Sequence, residues 1–405
     1  MRTSIFLVLA AGALLPARAQ SVYGIQGPIG RVWEMTGPSV SMCNYPDGPI
    51  GSSLLYAVAG ACPAPTPVAF VPGAGVAALM GDVAVDREND LVYVTDGAAV
   101  AAYDAVTGAL QVNFTVGFLG LNPPLTGLGW DGSNGWLWVS DAFGYAALQP
   151  NGTCMPVAQL AFQAAPAGVG ALSDIDVDPQ TGEVWVCDAG GQVAHFVAGA
   201  AVPNNVIGVA GALPCGFMGM PLLGLCIDTS SPAGTFIVTD GVTVARLAET
   251  GAFAFGVAVP RFALPQGCWP APPGGPLSGL GFSARPVTYG AGMGPKLDAL
   301  GHATLPSPNF AVTLQGAPAG LVAIAYDFGV ACPALALGGA PLYLPLSPQW
   351  GFIGPFAIAG NLTLPAALPA PGVLPAGLTI HLQALMNAGG AWSTSNGLAF
   401  TTALP

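Results

Sequence analysis

Apolar residues alternate with small or polar ones in a hairpin pattern that recurs every ~45–55 residues over the first two thirds of the chain. The first strand of this pattern ends on Asp in four copies: residues 81–86, 127–131, 174–178 and 224–228. A second strand, also ending on Asp, follows at residues 91–96, 136–141, 184–188 and 236–240. Alternation at period two between turn-rich segments predicts antiparallel hairpins. A repeat of this length is typical of β-propeller blades.

Two partial copies lie near opposite ends of the repeat region. Residues 31–37, around Trp33, match a second strand without a first, and residues 278–283, around Leu280, match a first strand without a second. Joined in one sheet they complete a fifth copy. The sequence therefore predicts an all-β fold with a five-bladed β-propeller closed by a shared N-/C-terminal blade, which removes unpaired strand edges. Six blades are the alternative if residues 68–78 or 257–276 contain a degenerate copy.

The repeat ends near residue 288, and short apolar runs between Pro- and Gly-rich turns follow it. This pattern predicts a C-terminal β-sandwich of six to eight short strands over residues 289–405. The β-propeller is expected over residues 20–288. Residues 1–19 contain a basic Arg2, an apolar run and an Ala-Arg-Ala site, which predict a signal peptide.

Two resemblances extend this interpretation. The Asp-ended hairpins resemble NHL and related low-complexity propeller repeats, which implies a fold and a binding surface but no activity. Residues 289–405 resemble the C-terminal domain of many secreted planctomycete and myxobacterial proteins: an opening Tyr-Gly-x-Gly, a Gly-Ala-Pro turn at 316–318 and a closing Ser-Asn-Gly-Leu at 395–398. Met293 stands where that family has its opening cysteine, so Cys332 lacks the partner the resemblance implies.

Composition and charge narrow the location and the partners. The apolar part of the signal segment is too short to span a bilayer, and later apolar runs are broken by Pro, Gly or Asp. We therefore expect a secreted, extracellular or cell-surface protein with no membrane insertion after cleavage. The net charge is −12 and Lys296 is the only lysine, so nucleic acid is not an expected partner. The expected partner is therefore an extracellular protein or glycan.

The eight cysteines suggest disulfides in an exported chain. Eight cysteines allow 105 pairings, of which Cys43 with Cys62 is the local one we expect. Cys187 and Cys226 fall within strand patterns and could equally be buried free thiols. Without a Cys-x-x-Cys motif or clustered histidines, a zinc site is not expected.

Carboxylates that break the repeat are the candidate site. The Asp residues that end nearly every hairpin strand predict a structural role, accepting hydrogen bonds from turn amides. Asp82, Asp174 and Asp176 differ, because Gly, Ala or Cys occupies their positions in most copies. They could bind a cation such as Ca²⁺ or a polar substrate, or line a water-filled channel as solvated groups. No further cofactor is expected.

No nucleophile, base and orienting group emerge together, and His195 fits an ordinary strand position. We therefore expect a secreted, non-enzymatic binding or scaffold protein that uses propeller loops and the channel mouth to contact an extracellular protein, a glycan or a surface polymer. The alternative is a metal-assisted propeller hydrolase or lactonase using Asp82, Asp174 and Asp176. A structural component of the cell envelope is a third reading.

Overall fold

The computed structural model describes residues 21–26, 31–36, 66–67, 81–104, 109–151, 155–209, 221–229, 234–249, 268–270, 277–283, 287–289, 294–328, 335–337, 339–342, 344 and 346–405. Regular structure in these residues is β-strand apart from a 3-10 turn at Gly117–Leu119, so the predicted all-β class is confirmed. No helix in the described ranges has the length and apolar character of a membrane span. The predicted signal peptide and the Cys43–Cys62 pair lie outside these ranges.

Within the described ranges, twenty strands form five antiparallel sheets of four strands each. The N-terminal strands are β1 (Ser21–Gln26), β2 (Arg31–Thr36) and β3 (Thr66–Pro67). Sheet A contains β4 (Val83–Asp86), β5 (Leu91–Thr95), β6 (Ala99–Asp104) and β7 (Leu110–Thr115). Sheet B contains β8 (Leu125–Asp131), β9 (Trp136–Asp141), β10 (Gly144–Gln149) and β11 (Val157–Ala164). Sheet C contains β12 (Leu172–Asp178), β13 (Glu183–Asp188), β14 (Gln192–Phe196) and β15 (Asn205–Gly208).

Sheet D contains β16 (Gly224–Ile227), β17 (Thr235–Thr239), β18 (Thr243–Ala248) and β19 (Cys268–Pro270). The described part of residues 257–276, which could have held a sixth copy, is thus the fourth strand of sheet D. Residues 68–78 lie outside the described ranges. The predicted hairpins of the four full copies are confirmed, each joining the first two strands of sheets A to D.

Sheet E combines the two ends of the repeat region. Its first strand, β20 (Gly279–Ser283), pairs with β1, followed by β2 and β3. Trp33 and Leu280 therefore lie in one sheet, as predicted. The order predicted within that sheet is wrong, because Trp33 is on the third strand and Ser21–Gln26 is the second. The short β1 carries no closing Asp, so the sequence pattern did not reveal it.

The first strands of the sheets contact one another in succession. β4 contacts β8, β8 contacts β12, β12 contacts β16, β16 contacts β20, and β20 contacts β4. Apolar clusters fill the spaces between neighbouring sheets and include Trp130, Trp138 and Trp185. Tyr93 of sheet A, for instance, stacks on Trp130 of sheet B with ring centroids 5.4 Å apart. These tryptophans stabilise the sheet-to-sheet contacts.

The C-terminal strands form sheet F, in the order β21 (Val287–Tyr289), β28 (Ala391–Thr401), β27 (Thr379–Ala388), β23 (Ala311–Asp327) and β22 (Lys296–Leu300). β26 (Gly351–Pro365) pairs with β23, and β24 (Leu335–Leu337) and β25 (Ala340–Leu342) form a separate hairpin. Apolar side chains from both halves of β23 meet in one cluster around Phe310.

Two features of sheet F differ from the sequence prediction. The strands are not all short, since β23 has 17 residues and β26 has 15. The predicted Gly-Ala-Pro turn at 316–318 lies inside β23, where the register with β26 shifts near Ala317 and again near Gly320. Such bulges bend a strand without ending it. One half of β23 can therefore pair with β22 and the other half with β27.

Asn396, from the Ser-Asn-Gly-Leu motif, joins β28 to β22. Its Oδ1 accepts a hydrogen bond from Leu297 N at 2.8 Å, and its Nδ2 donates to Leu297 O at 2.9 Å. Leu297 is fully buried, so its backbone groups depend on protein partners. The amide side chain thus replaces a neighbouring strand at this point.

We expect Asn396→Ala to lower the free energy of unfolding by about 2–4 kcal/mol, because two buried backbone groups lose their partner. Asn361→Ala is the matched control. It removes a single 3.0 Å bond to Gly316 N at an exposed position, and should cost less than about 1 kcal/mol. Denaturant titrations of both variants provide the measurement, and equal losses would contradict the assignment.

Candidate functional site

The candidate carboxyls lie where first strands of neighbouring sheets approach closely. Asp82 and Asp174 occupy a position that is Gly127, Gly224 and Gly279 in the other first strands. A Cβ at Gly279 would lie 1.8 Å from Asp82 Oδ1, and one at Gly127 would lie 2.7 Å from Asp174 Cα. Glycine at these positions is therefore required by the space that the neighbouring strand leaves.

Each of the three carboxyls accepts a hydrogen bond from the first strand of the next sheet. Oδ2 of Asp82 accepts from Leu128 N of sheet B at 2.7 Å. Oδ2 of Asp174 accepts from Leu225 N at 2.5 Å, and Oδ2 of Asp176 accepts from Ile227 N at 2.7 Å, both in sheet D. The side chains of this group, named here the inner carboxyls, therefore link sheet A to B and sheet C to D.

Burial sets the protonation of the inner carboxyls. Asp82 and Asp174 have no exposed surface, and burial raises the pKa of Asp82 to about 7 even though a hydrogen bond from the Asp174 carboxyl opposes the rise. The pKa of Asp174 lies well above its usual value, because of burial first and then the charge of Asp82. Burial also raises the pKa of Asp176 to about 7, and the amides of Ile227 and Val177 limit the rise. Burial disfavours the charged form of all three groups.

The predicted Ca²⁺ role depends on free carboxylate oxygens. In the described ranges, no group of three or more His, Cys, Asp or Glu side chains is arranged to hold a metal ion. Calcium takes six to eight oxygen ligands, whereas the inner carboxyls direct oxygens to backbone amides. A calcium site at Asp82, Asp174 and Asp176 stays a prediction.

Arg87 is a neighbour of this site that sequence reasoning missed. Arg87 is 7% exposed, its Nη1 donates to Phe282 O at 3.2 Å, and its guanidinium carbon lies 5.4 Å from the Phe282 ring centroid. Together with Asp176, Trp130 and Gly281 it lines a small, narrow pocket. A signal existed, since the equivalent positions in sheets B to D are Gly, Pro and Thr. A charged residue within a turn segment is, however, usually solvated.

The repeated Asp residues have the structural role predicted for them. Oδ1 of Asp86 accepts from two turn amides, and Oδ1 of Asp131 does the same in sheet B. In the second column, Asp96 and Asp141 each accept two amides of the following turn. Asp188 accepts from Gly170 N and Gln192 N.

The remaining sequence candidates are His195, whose ring contacts other carboxylates, and two cysteines beside the inner carboxyls. His195 lies on the strand β14, as predicted; it is buried, and its ring nitrogens contact Glu183 and Glu249. Cys187 and Cys226 are buried free thiols, which confirms that alternative. Burial raises the pKa of Cys187 to about 12, so it is a thiol at neutral pH.

A scan of protein-family models and a search of curated proteins both find no match to this chain. Fold and site therefore define its class on their own. It is an all-β protein of repeated four-stranded antiparallel sheets, with carboxyl groups buried between the first strands of sheets A and B and of sheets C and D.

Gly279→Ala should destabilise the protein by about 3 kcal/mol or more, since the new methyl group meets the Asp82 carboxyl and backbone. Gly117→Ala, where a Cβ meets nothing within 4 Å, should change the unfolding free energy by less than about 1 kcal/mol. Thermal or chemical unfolding of both variants measures the difference. A well-tolerated Gly279→Ala would contradict the close approach.

The raised pKa of Asp176 predicts a pH-dependent stability difference. An unfolded Asp titrates near 3.8 and the folded one near 7, so the folded state holds an extra proton between these values. The stabilisation of the folded state by this proton is complete below pH ~4 and is lost as the pH rises through ~7. The free energy of unfolding of Asp176→Asn, relative to that of the wild type, should therefore rise by roughly 2–4 kcal/mol between pH ~4 and ~8. Urea titrations across this range test it, and parallel pH profiles would contradict it.

Proposed function

We propose that sheets A to E are the five blades of a β-propeller closed by sheet E, followed by a β-sandwich built from sheet F. We further propose that the protein is a secreted, non-enzymatic binding or scaffold protein at the cell surface or outside the cell. The observation that carries this proposal is the use of the inner carboxyls. Asp82, Asp174 and Asp176 hold backbone amides of adjacent sheets, so they serve the fold.

Three findings support the propeller. Each first strand contacts the next, and β20 contacts β4. Sheet E takes its first strand from near residue 280 and its other strands from the N-terminal part. Apolar clusters lie between A and B, B and C, C and D, and D and E. The resemblance to NHL-type repeats and to the planctomycete and myxobacterial C-terminal domain agrees with this architecture.

The turns between second and third strands favour one end of the propeller for partner binding. These turns lie beside the starts of the next first strands, since Gly97 O accepts from Leu125 N and Ala142 O accepts from Leu172 N. Phe143, 69% exposed, lies in one such turn. Phe118, 55% exposed, precedes β8 at the same end, and both loops pack near Phe162.

The opposite end carries the C-terminal residues. The turns between first and second strands meet them there: Leu404 N donates to Thr229 O at 3.1 Å, and His302 pairs with Asp90 at 2.9 Å. Phe118 and Phe143 are thus at the end that sheet F leaves accessible. Exposed aromatic rings at one end of the molecule suit a neutral glycan or an apolar protein surface.

The second candidate function is a metal-assisted hydrolase or lactonase. The converging inner carboxyls with raised pKa favour it, because such groups concentrate at active sites. Structural networks also raise pKa values, and the complete burial of Asp82 and Asp174 favours the structural explanation.

The binding proposal predicts that a Phe118→Ser/Phe143→Ser double variant loses at least tenfold in affinity for the glycan that the wild-type chain retains on an array of neutral polysaccharides. Burying an aromatic ring contributes about 1.5–3 kcal/mol, so two rings account for such a loss. Met155→Ser/Val202→Ser is the matched control, since Met155 is 80% and Val202 64% exposed outside these loops. Equal losses in both double variants, or no retention by the wild type, would contradict the proposed binding end.

The enzymatic alternative is tested by metal content and calorimetry. The purified chain should hold less than stoichiometric Ca²⁺, and Asp174→Asn should leave its glycan retention unchanged. Stoichiometric Ca²⁺ that disappears in Asp174→Asn would overturn the non-enzymatic reading and support the metal-assisted one.

A further inference from the structure

A second polar cluster connects sheets C and D away from the inner carboxyls. Nδ1 of His195, on β14, lies 2.7 Å from Glu183 Oε2, and Nε2 lies 3.1 Å from Glu249. Glu183 begins β13 of sheet C, whereas Glu249 directly follows β18 of sheet D. One imidazole ring therefore bridges two carboxylates that belong to different sheets.

Neighbouring groups hold both carboxylates in place. Nδ2 of Asn204 donates to Glu183 Oε1 at 2.5 Å, and Nδ2 of Asn205 donates to Glu249 Oε1. The backbone at Glu249 is held as well, since its N donates to Gly234 O at 2.7 Å. The carboxylates contact different ring nitrogens, so they do not converge on a shared cation position.

The imidazole ring is fixed by stacking. Trp185 lies parallel to it with centroids 4.4 Å apart and an angle of 15° between the planes. Trp185 also contacts Phe236 of sheet D at 5.3 Å. His195 is 8% exposed, while the Glu183 and Glu249 side chains keep 21% and 23% of their surface exposed. The ring is thus rigid, but protons can reach it through its partners.

Protonation decides how many of these contacts are favourable. A neutral imidazole donates from one nitrogen only, so its other nitrogen would direct a lone pair at a carboxylate. An imidazolium donates from both nitrogens and satisfies both carboxylates. Of the described residues packed against the ring, Glu183 and Glu249 are the charged ones. β15 contributes the neutral Asn205, and β17 contributes Phe236 through Trp185.

We propose that Glu183, His195 and Glu249 form a pH-sensitive clamp that fastens sheet C to sheet D while His195 is protonated and weakens when the proton leaves. The apolar cluster around Trp185 and Phe236 maintains the contact between the sheets in either state. The clamp acts at the edge of that cluster, on the strands β14, β15 and β18.

The electrostatic environment agrees with this device. Burial disfavours the imidazolium, but the hydrogen bonds and charges of Glu249 and Glu183 outweigh it and raise the pKa of His195 above its usual 6.5. The hydrogen bond from His195 lowers the pKa of Glu249 below its usual 4.5. The stabilisation by His195 is complete below pH ~6.5 and is lost as the pH rises through its raised pKa. The stabilisation by Glu249 is lost as the pH falls through its lowered pKa.

The first test follows the histidine protons of the full chain by NMR. Only three histidines are present, and His195→Gln assigns the resonance of His195. We expect it to titrate above 6.5, whereas His381, whose pKa burial lowers to about 4, serves as the internal control without a titration between pH ~5 and ~9. A midpoint at or below 6.5, or the absence of titration, would overturn the clamp.

The second test is a double-mutant cycle of His195→Gln and Glu249→Gln, which isolates the contact between the sheets. The coupling, measured as a ratio of unfolding equilibrium constants, should be at least tenfold at pH ~5.5 and fall below about threefold at pH ~9. If the coupling is the same at both pH values, the contact is a hydrogen bond that does not depend on pH, and the proposal is contradicted. If His195→Gln does not fold, the NMR titration of Glu249→Gln both assigns the His195 resonance and decides, since the midpoint of His195 alone must then fall.

Discussion

The close approach of the first strands is the constraint on which the repeated sheets depend. At Gly127, Gly224 and Gly279 a single methyl group would meet the backbone or side chain of the neighbouring strand. The backbone amides that these strands direct at one another need partners, because a buried amide without one is costly. Asp82, Asp174 and Asp176 supply such partners across the gap. The close approach of these strands therefore requires both the glycines, which leave room, and the carboxyls, which accept hydrogen bonds from the amides.

This constraint also explains why the inner carboxyls resemble a catalytic group. Complete burial raises the pKa of a carboxyl whether or not it has chemistry to perform. Asp82 and Asp174 also interact electrostatically, so ionising both of them is unfavourable. The Arg87 guanidinium, stacked near Phe282 and close enough to Asp176 to lower its pKa, balances part of the charge. The raised pKa values of these carboxyls therefore follow from their burial between the sheets.

The two polar clusters of the repeat region bind sheets together in different ways. The inner carboxyls accept hydrogen bonds from backbone amides between the sheets, where Asp82 and Asp174 are fully buried. The cluster of Glu183, His195 and Glu249 joins side chains near solvent, where protons exchange readily. Both connect sheet C to sheet D, so this contact responds to pH at its centre and at its edge. Sheet F, by contrast, is held to the repeated sheets by Thr229, Asp90 and the last residues of the chain.

Local pattern determined the hairpins and the structural Asp columns, because period-two alternation and turn chemistry act between near neighbours. The placement of Trp33 and Leu280 in one sheet followed instead from two incomplete copies of the repeat that complement each other. The second strand of sheet E and the long, bulged β23 were not predictable in this way. A bulge and a pairing between distant segments depend on which backbones meet in space. Tertiary structure alone likewise decided which groups contact Asp176 and Arg87, and that His195 contacts Glu249. Each contact joins residues of different sheets, and no local pattern encodes the distance between them.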